Sequence, residues 1–314
     1  MRDLLVESLQ EGSLGLSTGL FYSPARAAST QEVIEIARSL GTHHGVYATH
    51  MRDEADQVAT SLQETFEIGR AAGVSVIVSH HKCKGARNFG RSVQTLAMFD
   101  QAGDSVALDL YPYTAGSTVL NDENVSMSSR TVITWCDPYP QYAGRDLADV
   151  AQEWGCTPLE VIPRLRPAGA IYFTMDEEDI VRIMRYPKTM FGSDGLPEDQ
   201  HPHPRLWGTF PRVLGSYVRQ QGVLGLEDAV HRMTGLSAVR FGLRERGRVE
   251  VGNFADLCLF DPMTVLDRAT YEEPAQPAVG IQYVFVNGQL ALERGVPTGV
   301  CAGKVLRRAA DGLA

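Results

Sequence analysis

Between Leu14 and Asp194 the chain alternates short apolar runs with helical patterns, and that rhythm leaves little choice of fold. The runs LGLSTGL, GVYATH, VSVIVSH, VALDLYPY, AIYFTM and TMFGSD read as strands with apolar residues on both faces. Between them QEVIEIARSLG, DQVATSLQETFEIGRAAG and GRSVQTLAMFDQAG carry helical spacing and close on glycine, which ends a helix readily in the left-handed conformation. Strands hidden on both faces and separated by helices predict a parallel sheet covered by its crossover helices. Six such strands are expected, two fewer than a closed eight-stranded barrel requires.

The rhythm breaks from 118 to 169, where polar runs and two short helical patterns, Leu147 to Trp154 and Pro158 to Arg166, read as an insertion after a strand end. Barrels grow active-site lids at such positions. After Asp194 a loop rich in proline and histidine, LPEDQHPHPRLWG, leads into the helical stretches FPRVLGSYVRQQ and LEDAVHRMTGLSAVRFGL. From about Gly247 the pattern turns to strands, with YVFV and QLAL flanking Asn287-Gly288, a strong hairpin signal. The expected organisation is therefore a partial (β/α) barrel over 1–246, with the insertion at about 118–169, and a small β module over 247–314.

At 314 residues there is room for a barrel of about 250 residues and a small accessory unit. A net charge of −9 with no basic patch beyond Arg307 and Arg308, read as a solvated end, argues against nucleic-acid and anionic-membrane partners and favours a small molecule. The five cysteines are scattered and form no C-x-x-C pair, which points to a reducing, cytoplasmic setting rather than a disulfide framework or zinc finger. No apolar stretch approaches the roughly 20 residues of a membrane span, and MRDLLVESLQEG reads as a charged amphipathic helix.

The chemistry-bearing residues sit at strand ends. His50 closes GVYATH, His80 closes VSVIVSH, and Asp194 closes TMFGSD. Barrel active sites are assembled at the carboxyl ends of strands, so two imidazoles and a carboxylate there predict a metal-dependent hydrolase. Strand parity puts Lys82 on the face of His80, Arg52 on that of His50, and Asp109, Tyr111 and Tyr113 on one common face. His81 alternates to the opposite face as a packing residue, and Cys83 reads as a buried inert thiol. Asp194 could alternatively cap the turn at Gly195. His201-Pro-His203 has the spacing of a metal dyad but reads first as a rigid loop.

These residues, taken with GLSTGLFYSPA, THMRDE, SHHKC, YPYTAGS, GSDGLP, HPHPRLWGTFPRVLG and the closing GRVEVGNFADLCLFDP, FVNGQ and PTGVCAGKVLRR, resemble the D-aminoacylase (N-acyl-D-amino-acid deacylase) family of the amidohydrolase superfamily. The resemblance implies an α/β fold, a (β/α)8 TIM-type barrel here incomplete (about strands 3 to 8), with a small C-terminal β module. It implies zinc-dependent hydrolysis of the amide of N-acyl-D-amino acids, with His50 and His80 as zinc ligands and Asp194 as the catalytic carboxylate. Lys82, Tyr113 and Arg205, with Ser117, resemble the groups that hold the substrate α-carboxylate. An ammonium, a phenol and a guanidinium suit an anion independently of the resemblance. The family's His-x-His motif and a metal-ligating cysteine would fall upstream of Met1, so an N-terminally incomplete chain is expected, with an exposed sheet edge open to self-association. Two other readings stand beside this one. The chain could be a dihydropyrimidinase-like cyclic amidase, against which an open-carboxylate clamp argues, or a catalytically silent fragment or scaffold.

Overall fold

In the structure, a computed structural model that describes residues 1–308, the first four apolar runs form the parallel strands β1 (Gly15–Gly19), β2 (Val46–His50), β3 (Ser75–Val78) and β4 (Val106–Leu110). They lie side by side in sequence order, and each register is parallel. Helix α1 (Arg2–Gln10) precedes them, and α2 (Thr30–Gly41), α3 (Val58–Ala72) and α4 (Ser92–Ala102) are the successive crossovers. In α2 the Ser29 hydroxyl accepts from the Glu32 amide at 3.2 Å, while Val33, Ile34, Ala37 and Leu40, spaced by helical turns, are buried. Helix α3 stops at Gly73, whose φ of 69° is the left-handed cap expected of glycine.

The sequence rhythm misplaces one strand. AIYFTM does not join the parallel sheet. After β4 the chain folds a separate three-stranded antiparallel sheet from β5 (Ala115–Val119), β6 (Thr131–Cys136) and β7 (Ala168–Phe173), ordered β5-β7-β6, so AIYFTM is its central strand. The reason is visible in the burial. Ala170 and Tyr172 pack into a core with Ile133, Val150, Val161 and Ile162, while Ile171 on the other face packs with Ala115 and Val132. A strand covered on both faces looks the same in sequence whether its neighbours run parallel or antiparallel. Helices α5 (Asp122–Met127), α6 (Leu147–Glu153) and α7 (Pro158–Leu165) complete this insert, the last two where their patterns predict them. The insert is thus larger than 118–169, extending to both flanking strands.

Helix α8 (Glu177–Arg185) then returns the chain to the parallel sheet as β8 (Thr189–Phe191), which pairs with β4. The sheet therefore has five strands, ordered β1-β2-β3-β4-β8, rather than the six expected. Tyr47, Val78, Leu108 and Leu110 from the strands and Ile68, Phe99 and Ile183 from the helices form its main core. Helix α9 (Arg205–Arg212) runs on through a π-helical stretch, Val213–Gln220, and is followed by α10 (Leu226–Met233) and α11 (Gly235–Phe241).

The C-terminal strands β9 (Leu257–Phe260), β10 (Ile281–Val286), β11 (Gln289–Glu293) and β12 (Val296–Pro297) form an antiparallel sheet ordered β12-β11-β10-β9. Asn287 and Gly288, at φ of 49° and 78°, make the predicted hairpin turn. The end read as solvated is docked instead. The Arg307 guanidinium donates to the Glu11 carbonyl at 2.6 Å, and that of Arg308 to the carbonyls of His43 and His44. Among the described residues no helix is long and apolar enough to cross a membrane, and the five cysteines are free.

Candidate metal centre and binding cavity

The carboxyl ends of β1 to β4 and β8 open into a cavity of about 890 Å³ whose wall includes His50, His80, Lys82, Asp109, Tyr111, Ser117, Asp194 and Arg205. His50 is the last residue of β2, as predicted. His80 is not on a strand, because β3 ends at Val78. It sits at φ 40°, a strained left-handed conformation for a residue with a Cβ. That turn is held by half-buried Asp109, whose carboxylate accepts from the His80 amide at 2.7 Å and whose carbonyl accepts from the His81 amide at 2.8 Å. Burial pushes the Asp109 carboxyl up. Asp109 thus shapes the backbone that aims His80 inward.

The two imidazoles meet in a T-shaped arrangement, with His50 Nδ1 and His80 Nε2 3.0 Å apart. Behind them lies Glu54, 2% exposed, which sequence reasoning passed over. Its Oε1 is 3.1 Å from His80 Nδ1 and 2.7 Å from Lys82 Nζ, and its Oε2 is 3.4 Å from Lys84 Nζ and 3.7 Å from His50 Nε2. Burial alone would raise its pKa, but the Lys82 and Lys84 ammonium groups outweigh it and hold the carboxyl well below the ordinary glutamate value. The signal was present in THMRDE and HHKCK. Two lysines buried two residues apart need a buried carboxylate, and one follows His50 by four residues.

His50, Glu54 and His80 form a group of potential metal-ligand atoms within 4.8 Å of one another. Burial, opposed only in part by Glu54, drives the His50 pKa down to about 3, so its imidazole is neutral and able to donate a lone pair. Its Nε2 is buried without a hydrogen-bond partner. Two nitrogens each about 2 Å from a shared cation lie about 3 Å apart, so the facing pair fits a zinc ion. Glu54 is already compensated by two ammonium groups, which leaves the imidazoles as the principal donors.

Across the cavity the Asp194 carboxylate takes the Arg205 guanidinium at 2.9 Å. Asp194 lies three residues beyond β8 rather than at its end. Burial would raise its pKa, but Arg205, with His80 and Lys82, overrides it and keeps the carboxyl ionised below its usual range. Arg205 is 1% exposed, reaches the Ser117 carbonyl at 3.3 Å and stacks 4.3 Å from the Tyr111 ring centroid, yet its Nε has no partner. The Ser117 hydroxyl itself donates to the Ala170 carbonyl at 3.3 Å, on the wall formed by β5 and β7. His203 is no metal ligand here. Its Nδ1 accepts from the Arg205 amide at 3.0 Å and its Nε2 donates to the Ala115 carbonyl at 2.9 Å, tying the loop that carries Arg205 to β5.

Tyr113 and Arg52 are corrected by the structure. Tyr113 is not in the cavity wall. Its hydroxyl is buried without a partner against Gly208 and Asp267, and its ring packs on His203 and Arg212. The chain turns after Leu110, with the Tyr113 amide bonded to the Tyr111 carbonyl, so strand parity no longer carries Tyr113 to the face of Tyr111. Tyr111 lines the cavity in its place. Arg52 points away from His50 and clamps Glu64 of α3 at 2.8 and 2.9 Å, because it too lies beyond its strand. The packing roles read for His81 and Cys83 agree with the structure. His81 Nε2 is 2.9 Å from the Thr95 hydroxyl, and burial pushes the Cys83 thiol up to about 12.

A model of the amidohydrolase family matches residues 24–291. A D-aminoacylase of Alcaligenes xylosoxydans xylosoxydans is 54% identical over 312 residues, which are 99% of this chain and 64% of that protein. A crystal structure of D-aminoacylase superposes with a TM-score of 0.95 at 55% identity, over 98% of this chain and 65% of the other. The structure of N-acyl-D-glutamate deacylase from Bordetella bronchiseptica, complexed with zinc and a phosphonate mimic of the tetrahedral intermediate, matches at a TM-score of 0.94 and 47% identity, over 98% and 65% of the two chains. The α/β fold is that of these structures, and the chain spans somewhat under two thirds of the length of the proteins it matches.

Proposed function

The chain belongs to the amidohydrolase family, and from that premise we propose that its cavity serves zinc-dependent hydrolysis of the amide bond of N-acyl-D-amino acids. The observation that carries this reading is the facing pair of His50 Nδ1 and His80 Nε2, 3.0 Å apart, opposite an Arg205–Asp194 pair in one cavity. His50 and His80 would hold the zinc, which when bound supplies Lewis acidity at the scissile carbonyl. Asp194 takes a proton from the attacking water and passes it to the amide nitrogen as the C–N bond breaks, leaving a carboxylate and a free amine. Arg205, Lys82 and Tyr111, with Ser117 beside them, orient the substrate α-carboxylate; Tyr111 takes the place first read for Tyr113. The D configuration rests on the names of the similar proteins, a D-aminoacylase and an N-acyl-D-glutamate deacylase.

We read the five parallel strands as an arc of a (β/α) barrel and the sheet from β9 to β12 as a small β domain beside it. The outer edge of β1 has no strand partner among the described residues, which supports self-association of the chain; sedimentation tests it. Five free cysteines suit a reducing, cytoplasmic setting. The deciding experiment loads the purified chain with zinc and follows amine release from N-acetyl-D-methionine and its L enantiomer. Release from the D form alone supports the reading, and a zinc-loaded chain that releases neither overturns it.

A further inference from the structure

We propose that Lys84 and Asn124 form a second anion subsite in the cavity, placed to take a further carboxylate of the substrate, so that N-acyl-D-amino acids with two carboxylates are the preferred class. This subsite rests on the reading of the cavity given above. Contacts run across the cavity in one line. The Tyr111 ring lies between Arg205, 4.3 Å from its centroid, and Lys82, 5.4 Å from it, and Glu54 in turn lies between Lys82 and Lys84. His50 and His80 stand beside Glu54, in the middle of that line. A substrate gripped by its α-carboxylate at the Arg205 end, with its amide at the imidazoles, therefore meets one more cation at the other end.

That cation is short of acceptors. Glu54 carries one negative charge and faces two lysines. Lys82 takes the short contact, 2.7 Å to Oε1, whereas Lys84 Nζ stands 3.4 Å from Oε2 and makes its one hydrogen bond among the described residues at 3.5 Å, to Asn124 Oδ1. The Phe21 ring, 4.7 Å from Nζ, attracts the charge but is a poor substitute for an oxygen. An ammonium has three protons to place, and burying them without good acceptors is costly. Lys84 is nonetheless 8% exposed and pinned there. Its amide donates to the Glu54 carbonyl at 2.7 Å, its carbonyl accepts from the Asn88 side-chain amide at 2.8 Å, and the Gly85 amide donates to the Thr174 carbonyl at 2.7 Å. Asn124 is buried in the first turn of α5 and turns its side-chain oxygen to Lys84, which leaves its NH2 as a second donor in the cavity wall. An ammonium and an amide NH2 side by side match the two oxygens of a carboxylate. The carboxylate can come from an acidic D side chain or from a diacid acyl group.

Calorimetric titration of the full metal-free chain, which leaves the ligands intact, separates these sources. N-acetyl-D-glutamate is compared with N-acetyl-D-glutamine, and N-succinyl-D-methionine with its succinamoyl counterpart. In at least one pair the acid should bind about 10- to 100-fold more tightly than the amide, and the pair that shows it names the source. Lys84→Met should bring that ratio close to one, whereas a merely structural role would move both members of a pair alike. Asn124→Asp sets a protein carboxylate against the same ammonium and should erase the ratio too; it decides if Lys84→Met does not fold. Equal affinities within both pairs, or a preference that survives Lys84→Met, overturns the proposal. A chain that prefers the acids but, loaded with zinc, releases no amine keeps the subsite and loses the hydrolase reading.

Discussion

Asp194 and Arg205 are bound to each other at 2.9 Å in the wall of the cavity, so the carboxylate proposed to move a proton and the cation proposed to grip the substrate each occupy the other before substrate arrives. Arg205 cannot drift from this position, because His203 holds its amide and Tyr111 its guanidinium. On the proposed reading, a substrate carboxylate entering here would compete with Asp194 for the same guanidinium.

Arg205→Met should therefore do more than raise KM. Without the guanidinium, burial governs Asp194 and its pKa rises, so the ionised form is lost at a higher pH. The acid limb of the kcat profile is expected to move upward relative to wild type. A limb that stays in place while KM rises would mean that Arg205 acts on substrate alone.

Asp194→Asn keeps the shape of the side chain but removes its basicity. Turnover of N-acyl-D-amino acid is expected to fall by at least about 100-fold with zinc content by atomic spectroscopy unchanged. Retained turnover would take Asp194 out of the reaction.

Tyr113→Phe and Tyr111→Leu test the exchange of the two tyrosines. The Tyr113 hydroxyl is buried and unpartnered, so its removal should leave KM unchanged and stabilise the fold by about 1 kcal/mol in urea denaturation. Tyr111→Leu removes the surface on which Arg205 stacks and should raise KM. A rise in KM for Tyr113→Phe would restore that residue to the site.

Acid should unfold the metal-free protein early. Burial lowers the pKa of His50 and His81 to about 3 and that of His203 well below its ordinary value of 6.5. As pH falls below 6.5 the unfolded histidines bind protons while the folded ones do not, so stability is complete above that value and declines steadily beneath it. Each group contributes about 1.4 kcal/mol per pH unit to the decline. Urea midpoints measured between pH 7 and pH 5 should show it, and His81→Gln should reduce the slope by about one proton. An unchanged slope would mean that His81 titrates normally in the folded state.

Much of the frame was legible because the relevant physics is periodic. Glycine-capped helices between doubly buried strands forced a parallel sheet, and Asn287-Gly288 forced its hairpin. His50 was legible because it is still on its strand. Errors began where strands ended. Lys82 reached the site through the turn at His80 rather than through parity, and Arg52 and Tyr113 left it for the same kind of reason. Glu54 was obscured because its function depends on two lysines brought to it by folding. β7 was misassigned because burial on both faces does not record the direction of a neighbour.

That separate three-stranded insert also has a kinetic consequence. Leu108 of β4 and Thr189 of β8 are register partners, yet the whole insert lies between them in the chain. Closing so long a loop is entropically slow when its interior is unstructured. The insert has a core of its own, built from Leu120, Ile133, Val150, Val161, Ile162 and Tyr172. An insert that condenses early shortens the path between β4 and β8 and speeds their pairing, so mutations in that core should delay assembly of the cavity wall even where they leave the finished wall unaltered.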